Sequence, residues 1–124
     1  MDTREATCNC GQLRVTVTGD PLVVTVCHCL ACQRRTGSAF GLNARFTKER
    51  LNVDGEFKQY VRISDDGEER LYRFCPECGA TVFYGFGEEI LAVPVGAFAE
   101  PGFPPPNREI YQERQHPWVT VKVG

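Results

Sequence analysis

Seven cysteines stand in a chain of 124 residues, and they fall into three groups. The groups are Cys8-Asn9-Cys10-Gly11, Cys27-His28-Cys29-Leu30-Ala31-Cys32 and Cys75-Pro76-Glu77-Cys78-Gly79. Thiolates in such clusters suit zinc, which takes about four sulfur or nitrogen donors at ~2.0–2.3 Å in a tetrahedron. A C-x-x-C turn with a trailing glycine lets two sulfurs converge while backbone N–H groups point toward them. Cys75–Gly79 has that form, and Cys8–Gly11 is a tighter C-x-C version of it. Together the two pairs supply four thiolates. Cys8, Cys10, Cys75 and Cys78 are therefore expected to form a closed structural site that clasps the start of the chain to its middle.

The middle group is different, because it offers three cysteines and no fourth remains. In an extended segment residues 27 and 29 face one side, so both sulfurs can meet one ion, and Cys32 folds back through the following turn. Three protein ligands and one open position is the arrangement of a catalytic zinc. Such a position lowers the pKa of a bound water or thiol, or polarises a carbonyl. The cysteine count thus predicts two zinc ions per chain, one caged and one reactive, with Cys27, Cys29 and Cys32 as the catalytic set. Three alternatives stay open. His28 would be a fourth ligand, although alternation points it away from the sulfurs. His116 would reach in from beside Pro117 and Trp118. The three thiols would otherwise form a metal-free redox site, the reactive one lying nearest Arg34 and Arg35.

Arg34-Arg35-Thr36-Gly37-Ser38 follows Cys32 directly. Arg34 and Arg35 would offset the negative charge of a trithiolate zinc and hold a substrate carboxylate. Gly37 and Ser38 permit a tight turn with exposed N–H groups, a small anion nest. A solvated basic turn is the plain alternative for all four residues.

The elements that must position these groups read as mainly β. Leu13–Thr18 alternates with period two and is rich in β-branched residues, and Leu22–Val26 follows after the breaker Gly19-Asp20-Pro21, so the two read as a hairpin. Gly37–Phe46 is a weaker strand candidate. Further strands are expected at Phe57–Ile63, Glu69–Phe74, Thr81–Tyr84, Ile90–Val95 and Val119–Val123, with a turn at Ser64–Gly67. Leu30–Arg35 reads as a short helical turn, and no long amphipathic helix stands out. Pro101–Pro106 can be neither helix interior nor central strand, and reads as an extended surface connection.

Length and composition fit one domain, residues 1–124, with 42% hydrophobic and 24% charged residues. A net charge of −2 and an acidic pI argue against a nucleic-acid partner. No apolar run approaches the ~20 residues needed to span a bilayer. The polar start Met1–Glu5 argues against a secretory signal and points to a cytoplasmic setting, where clustered thiols favour metal over disulfides.

The ordered motifs Cys8-x-Cys10-Gly11, Cys27-x-Cys29-x-x-Cys32 with Arg34, Thr36, Gly37 and Ser38, and Cys75-x-x-Cys78-Gly79 are similar to those of a known family. The chain resembles the glutathione-dependent formaldehyde-activating enzymes, a family that also contains centromere protein V. Pro106 to Trp118, with Ile110-Tyr111 and Pro117-Trp118, looks like that family's C-terminal segment. The resemblance implies an Mss4-like fold of several coiled antiparallel β-sheets stapled by zinc. It implies a structural zinc on Cys8, Cys10, Cys75 and Cys78, and a second zinc on Cys27, Cys29 and Cys32 whose vacant position takes a substrate thiol. It also implies the partners, glutathione and formaldehyde or a small aldehyde, joined in a carbon–sulfur lyase reaction run in reverse. Two rivals are weighed beside it. One is a non-catalytic zinc module of the Mss4-like fold that binds a protein. The other is a methionine sulfoxide reductase of related fold, which Arg73-Phe74-Cys75 superficially matches, but Cys75 continues into a metal knuckle where that enzyme would have a lone reactive cysteine.

Overall fold

The structure, a computed structural model, describes residues 2–124. Its strands are β1 (Thr3–Thr7), β2 (Arg14–Thr18), β3 (Val23–Cys27), β4 (Gly41–Thr47), β5 (Leu51–Asp54), β6 (Lys58–Ile63), β7 (Glu69–Phe74), β8 (Thr81–Phe86), β9 (Ile90–Pro94) and β10 (Arg108–Ile110). One α-helix, α1 (Leu30–Thr36), follows β3. Two sheets result: a three-stranded one in the order β1-β2-β5, and a seven-stranded one in the order β10-β3-β4-β9-β8-β7-β6. All pairings are antiparallel except β10 with β3. The fold is mainly β, as the sequence predicts.

Period-two alternation gives the large sheet two unlike faces. On β3 and β4, Val24, Val26, Ala44 and Phe46 are buried apolar residues, while Thr25, Cys27, Asn43 and Arg45 occupy the opposite face. Val24, Ala44, Phe46 and Val93 of the large sheet join Ala6, Leu13, Val15 and Val17 of the small one in a single hydrophobic cluster. Burial of such side chains at roughly 1.5–3 kcal/mol each supplies the main force holding the sheets together. The other face carries one row in register across four strands: Arg45, Ala92, Tyr84 and Tyr72. That face is the floor of the candidate site.

Three expectations are corrected. Leu13–Thr18 and Leu22–Val26 do not form a hairpin, since β2 pairs with β1 and β5 while β3 pairs with β4 and β10. The backbone N–H groups flanking the turn are taken by different partners, Gly19 by Asp2 and Leu22 by Arg45, so the turn hands the chain from one sheet to the other. Val119–Val123 alternates like a strand but has no strand partner, and it is extended chain. The strand expected over Gly37–Phe46 begins only at Gly41, because the helical turn runs on to Thr36 and is capped by Gly37. Pro101–Pro106 begins as a turn and continues extended toward β10, with Phe103 buried in stacking on Phe98 at 4.7 Å.

Candidate metal centres and their cavity

The first cluster sits where the two sheets meet. Cys8 and Cys10 lie on the loop between β1 and β2, and Cys75 and Cys78 on the loop between β7 and β8. Both loops close alike: the Cys8 N–H donates to Leu13 O at 2.9 Å, and the Cys75 N–H to Ala80 O at 3.0 Å. Each loop turns on a glycine at positive φ, +85° at Gly11 and +80° at Gly79, a conformation other residues adopt only with strain. A register shift between Arg73 and Phe74 bends β7 just before the second loop. The four sulfurs lie within 4.8 Å of one another, with Cys8 to Cys10 at 3.6 Å and Cys10 to Cys75 at 3.7 Å. A tetrahedron with ~2.3 Å zinc–sulfur bonds has edges of ~3.8 Å, so this donor set fits zinc.

Hydrogen bonds prepare these sulfurs for negative charge. Leu13 N–H donates to Cys8 Sγ at 3.3 Å, and Glu77 N–H to Cys75 Sγ at 3.3 Å. Burial pushes the Cys75 thiol up, but hydrogen bonds from the Gln12 side chain and from the Cys78 and Glu77 N–H groups outweigh it and bring it down to about 6. Gln12 was not singled out from the sequence. Its Nε2 reaches Cys75 Sγ at 3.0 Å and Glu56 O at 2.7 Å, and its Oε1 accepts from Glu56 N at 3.0 Å. It therefore ties the first loop, the second loop and the β5–β6 connection together.

The second cluster lies on the opposite face of the large sheet. Cys27 ends β3, Cys29 is the N-cap of α1, and Cys32 sits in its first turn. Their sulfurs lie within 4.8 Å of one another, a spacing that also fits zinc. The Cys32 N–H donates to Cys29 Sγ at 3.2 Å. Cys27 and Cys32 are buried and Cys29 is half-buried. Gly41, opposite Cys27, gives α1 its close approach: a Cβ there would lie 3.0 Å from the Cys32 Cβ and 3.4 Å from its sulfur. S–H donors from Cys27 and then Cys32 hold the Cys29 thiol far down, at about 2, while its bond to Cys29 drives Cys27 up.

Neither histidine belongs to this set. His28 is fully buried facing the other way, with Nε2 2.7 Å from Glu109 Oε2. His116 is 2.9 Å from Gln33 Oε1 and stacked on Trp118.

A cavity of about 550 Å³ opens beside the trio, and its wall carries four arginines, Arg45, Arg62, Arg70 and Arg108. None of these was singled out from the sequence. Arg45 and Arg70 bracket the Phe86 ring at 3.9 and 5.0 Å. Arg62 and Arg70 are direct cross-strand partners, an arrangement that is repulsive unless anions answer it. Arg62 Nε donates to the Tyr72 hydroxyl at 3.3 Å, and Tyr72 stacks on Tyr84 at 5.0 Å. Glu113 and the exposed Tyr111 also line the cavity.

The basic turn after Cys32 is placed differently. Arg35 lies over the rings of Tyr84 and Tyr72, at 4.8 and 5.7 Å, and so seats α1 on the sheet. Arg34 lines a neighbouring cleft of about 290 Å³ together with Cys29, Arg62 and Arg114. Gly37 is the left-handed C-cap of α1, and the Ser38 N–H donates to Thr36 Oγ1 at 3.0 Å. The signal for Arg45 is faint but present: it interrupts the apolar run of β4 at a position of the face opposite the core.

Two cysteine clusters on a two-sheet β scaffold define a cysteine-knuckle protein, and its family match makes the fold Mss4-like. Residues 3–114 match the glutathione-dependent formaldehyde-activating enzyme family, and the chain belongs to that family. A crystal structure of a Rhodobacter sphaeroides protein shares the fold, with a TM-score of 0.59 and 22% identity over 82% of this chain and 91% of that one. Among curated proteins none matches the chain significantly. Among the described residues no helix is long and apolar enough to cross a membrane.

Proposed function

We propose that this chain joins a thiol of the glutathione kind to formaldehyde or another small aldehyde in the cavity beside Cys27, Cys29 and Cys32. The observation that carries the reading is the placement of three convergent sulfurs at a cavity walled by four arginines. Membership of the family supports the reaction class. Zinc bound to the three thiolates would favour the ionised form of a substrate thiol and polarise a carbonyl. Cys8, Cys10, Cys75 and Cys78 would hold a second zinc for architecture alone.

The residues of the cavity divide the remaining work. Arg62 and Arg70 draw in an anionic thiol, and the Glu113 carboxylate faces its ammonium group. The sulfur–carbon bond forms as the carbonyl π pair moves to oxygen. The thiol proton leaves to solvent, and the new hydroxyl takes a proton from a neighbouring donor. Tyr84 suits that task. Its hydroxyl accepts from Arg35 Nη2 at 3.5 Å, which leaves its own proton free, and burial raises its pKa so that it stays protonated. Arg34 lies one cleft away and extends the cationic surface. Arg35 seats α1 on Tyr84 and Tyr72, Gly37 caps it, and the Ser38 N–H is taken by Thr36 Oγ1.

The test is adduct formation between glutathione and formaldehyde by the zinc-loaded chain, followed by NMR against the uncatalysed rate. Cys29→Ser should return the rate to background. An undiminished rate in that variant refutes the proposal. A second reading, a zinc module that binds a protein, draws on the edge strand β6, which exposes Tyr60, Val61 and Ile63. Cobalt substituted at the trio separates the two: a thiol-dependent change in its spectrum belongs to the enzyme.

A further inference from the structure

We infer that the deep end of the Cys27 cavity is a carboxylate-binding subsite, built from Arg45 and Arg108 with Asn43. It takes an acid group carried by one of the two reactants. The inference relies on the proposed function only for what those reactants are.

Arg108, Thr25 and Asn43 stand side by side in register across β10, β3 and β4. Cys27 lies two residues further along β3 on the same face, ~7 Å away at the ordinary strand rise. The subsite therefore adjoins the sulfur trio directly. It is also deep: Thr25 and Asn43 are 0% and 2% exposed, whereas Tyr111 at the rim is 45% exposed.

Arg108 Nε, and Thr25 Oγ1 on the residue paired with it behind the cavity wall, are buried with no hydrogen-bond partner among the described residues. Buried polar atoms are nearly always bonded, so a pair of orphans at one place calls for an explanation. Arg45 spends its Nε on Asn43 Oδ1 at 3.3 Å, which leaves its two terminal nitrogens. Among the described residues neither Arg45 nor Arg108 has a carboxylate within 4.0 Å, in contrast to Arg4 and Arg70. Glu109, next to Arg108 in sequence, is engaged with His28. Burial first, and then the charge of Arg108, lower the pKa of Arg45, as expected of two guanidiniums sharing a poorly solvated corner.

A neutral reactant would leave those two like charges facing each other. A carboxylate answers both, accepting from the terminal nitrogens of two guanidiniums. Formaldehyde has no such group. The acid must therefore come either with the thiol, as a peptide carboxylate, or with the aldehyde, as in a 2-oxo acid of the glyoxylate type.

Calorimetric titration of the zinc-loaded chain decides this without turnover. The probes are S-methylglutathione, its dimethyl ester, glyoxylate and acetaldehyde. They are titrated into the wild type, Arg108→Gln and Arg45→Gln, each checked for zinc content and circular dichroism, so that one variant suffices if the other does not fold. Loss of a charge-assisted hydrogen bond should weaken the acid that fills the subsite ~10–100-fold, while the dimethyl ester, a monocation, should bind no worse and neutral acetaldehyde should change by no more than a few-fold. A loss confined to S-methylglutathione assigns the carboxylate to the thiol, and a loss confined to glyoxylate assigns it to the aldehyde. Equal losses for acids and neutral probes overturn the inference, as does millimolar acid that fails to bind the wild type. Absence of turnover with glutathione and formaldehyde would remove the proposed reaction and leave these titrations standing.

Discussion

Replacing Gly55 by alanine tests how the first metal cluster is braced. Gly55 follows β5 at φ +105°, and a Cβ there would run into the carbonyl oxygen of Gln12, 2.9 Å from its carbon and 3.0 Å from Leu13 Cα. The left-handed conformation alone costs an L-residue ~1–2 kcal/mol. The clash is with backbone, which cannot rotate aside, and overpacking of this kind costs a further ~1–3 kcal/mol. Gly67, at φ +84° in the β6–β7 turn, has nothing within 4 Å of the same added atom, so Gly67→Ala carries the conformational cost alone. For a domain of this size ~1 kcal/mol moves Tm by ~3–5 °C, so Gly67→Ala should fall by ~3–10 °C and Gly55→Ala by ~6–25 °C. Gln12 is also the residue that donates to Cys75 Sγ, so pushing its backbone slackens a contact of the metal cluster. Zinc release to a chromogenic chelator should therefore quicken in Gly55→Ala and stay at the wild-type rate in Gly67→Ala. Equal melting shifts, or equal release rates, would refute the bracing role given to Gln12 and Gly55.

Chelation should proceed in two stages. The trio, which offers three sulfurs against four, should lose its ion first, with loss of adduct formation and unchanged circular dichroism. Stripping the four-cysteine cluster should unfold the chain, because structural zinc contributes ~10–16 kcal/mol against a typical domain stability of ~5–15 kcal/mol. Salt should lower kcat/KM for glutathione several-fold between ~0.01 M and ~0.15 M, as the Debye length shrinks from ~30 to ~8 Å, and should raise it for the dimethyl ester, which keeps only the ammonium charge. The pH dependence of stability should carry a contribution from Tyr84, whose phenol burial holds above its ordinary value of ~10. Below pH ~10 the proton is bound in both states and the contribution is complete. Above it the unfolded chain ionises first, so stability falls as pH rises. Tyr84→Phe should flatten that alkaline limb in denaturant titrations, and an unchanged limb would contradict the assignment.

The cysteine clusters were legible because their geometry is local. A knuckle is written in five or six residues, and Cys27-x-Cys29-x-x-Cys32 spans one strand end and one helical turn. The arginines were not legible, because β4, the β6–β7 hairpin and β10, far apart in sequence, bring them together. Arg34 and Arg35 drew attention through adjacency to Cys32, yet helical geometry turns Arg35 under the cluster and onto Tyr84. The strands β1, β5 and β10 escaped notice because Thr-Arg-Glu-Ala-Thr, Leu-Asn-Val-Asp and Arg-Glu-Ile are short and polar. They are strands by virtue of their partners, and Val119–Val123 shows the converse, propensity with no edge to join.

The two clusters share a chemistry and differ in what surrounds them, and that difference follows from the sheet. Cys8 and Cys75 belong to the hydrophobic cluster between the sheets, so the sulfur set there is closed on itself and its failure is a failure of packing. Cys27 lies on the face that the small sheet does not cover. There the same period-two alternation that buries Val24 and Val26 must place Thr25, Asn43, Arg45 and Arg108 somewhere, and it places them beside the sulfurs. Two guanidiniums with no carboxylate partner among the described residues, Arg45 and Arg108, would be a liability in a scaffold that used this face only for packing. An acid-bearing reactant turns that liability into binding energy at the point where the trio can act on it.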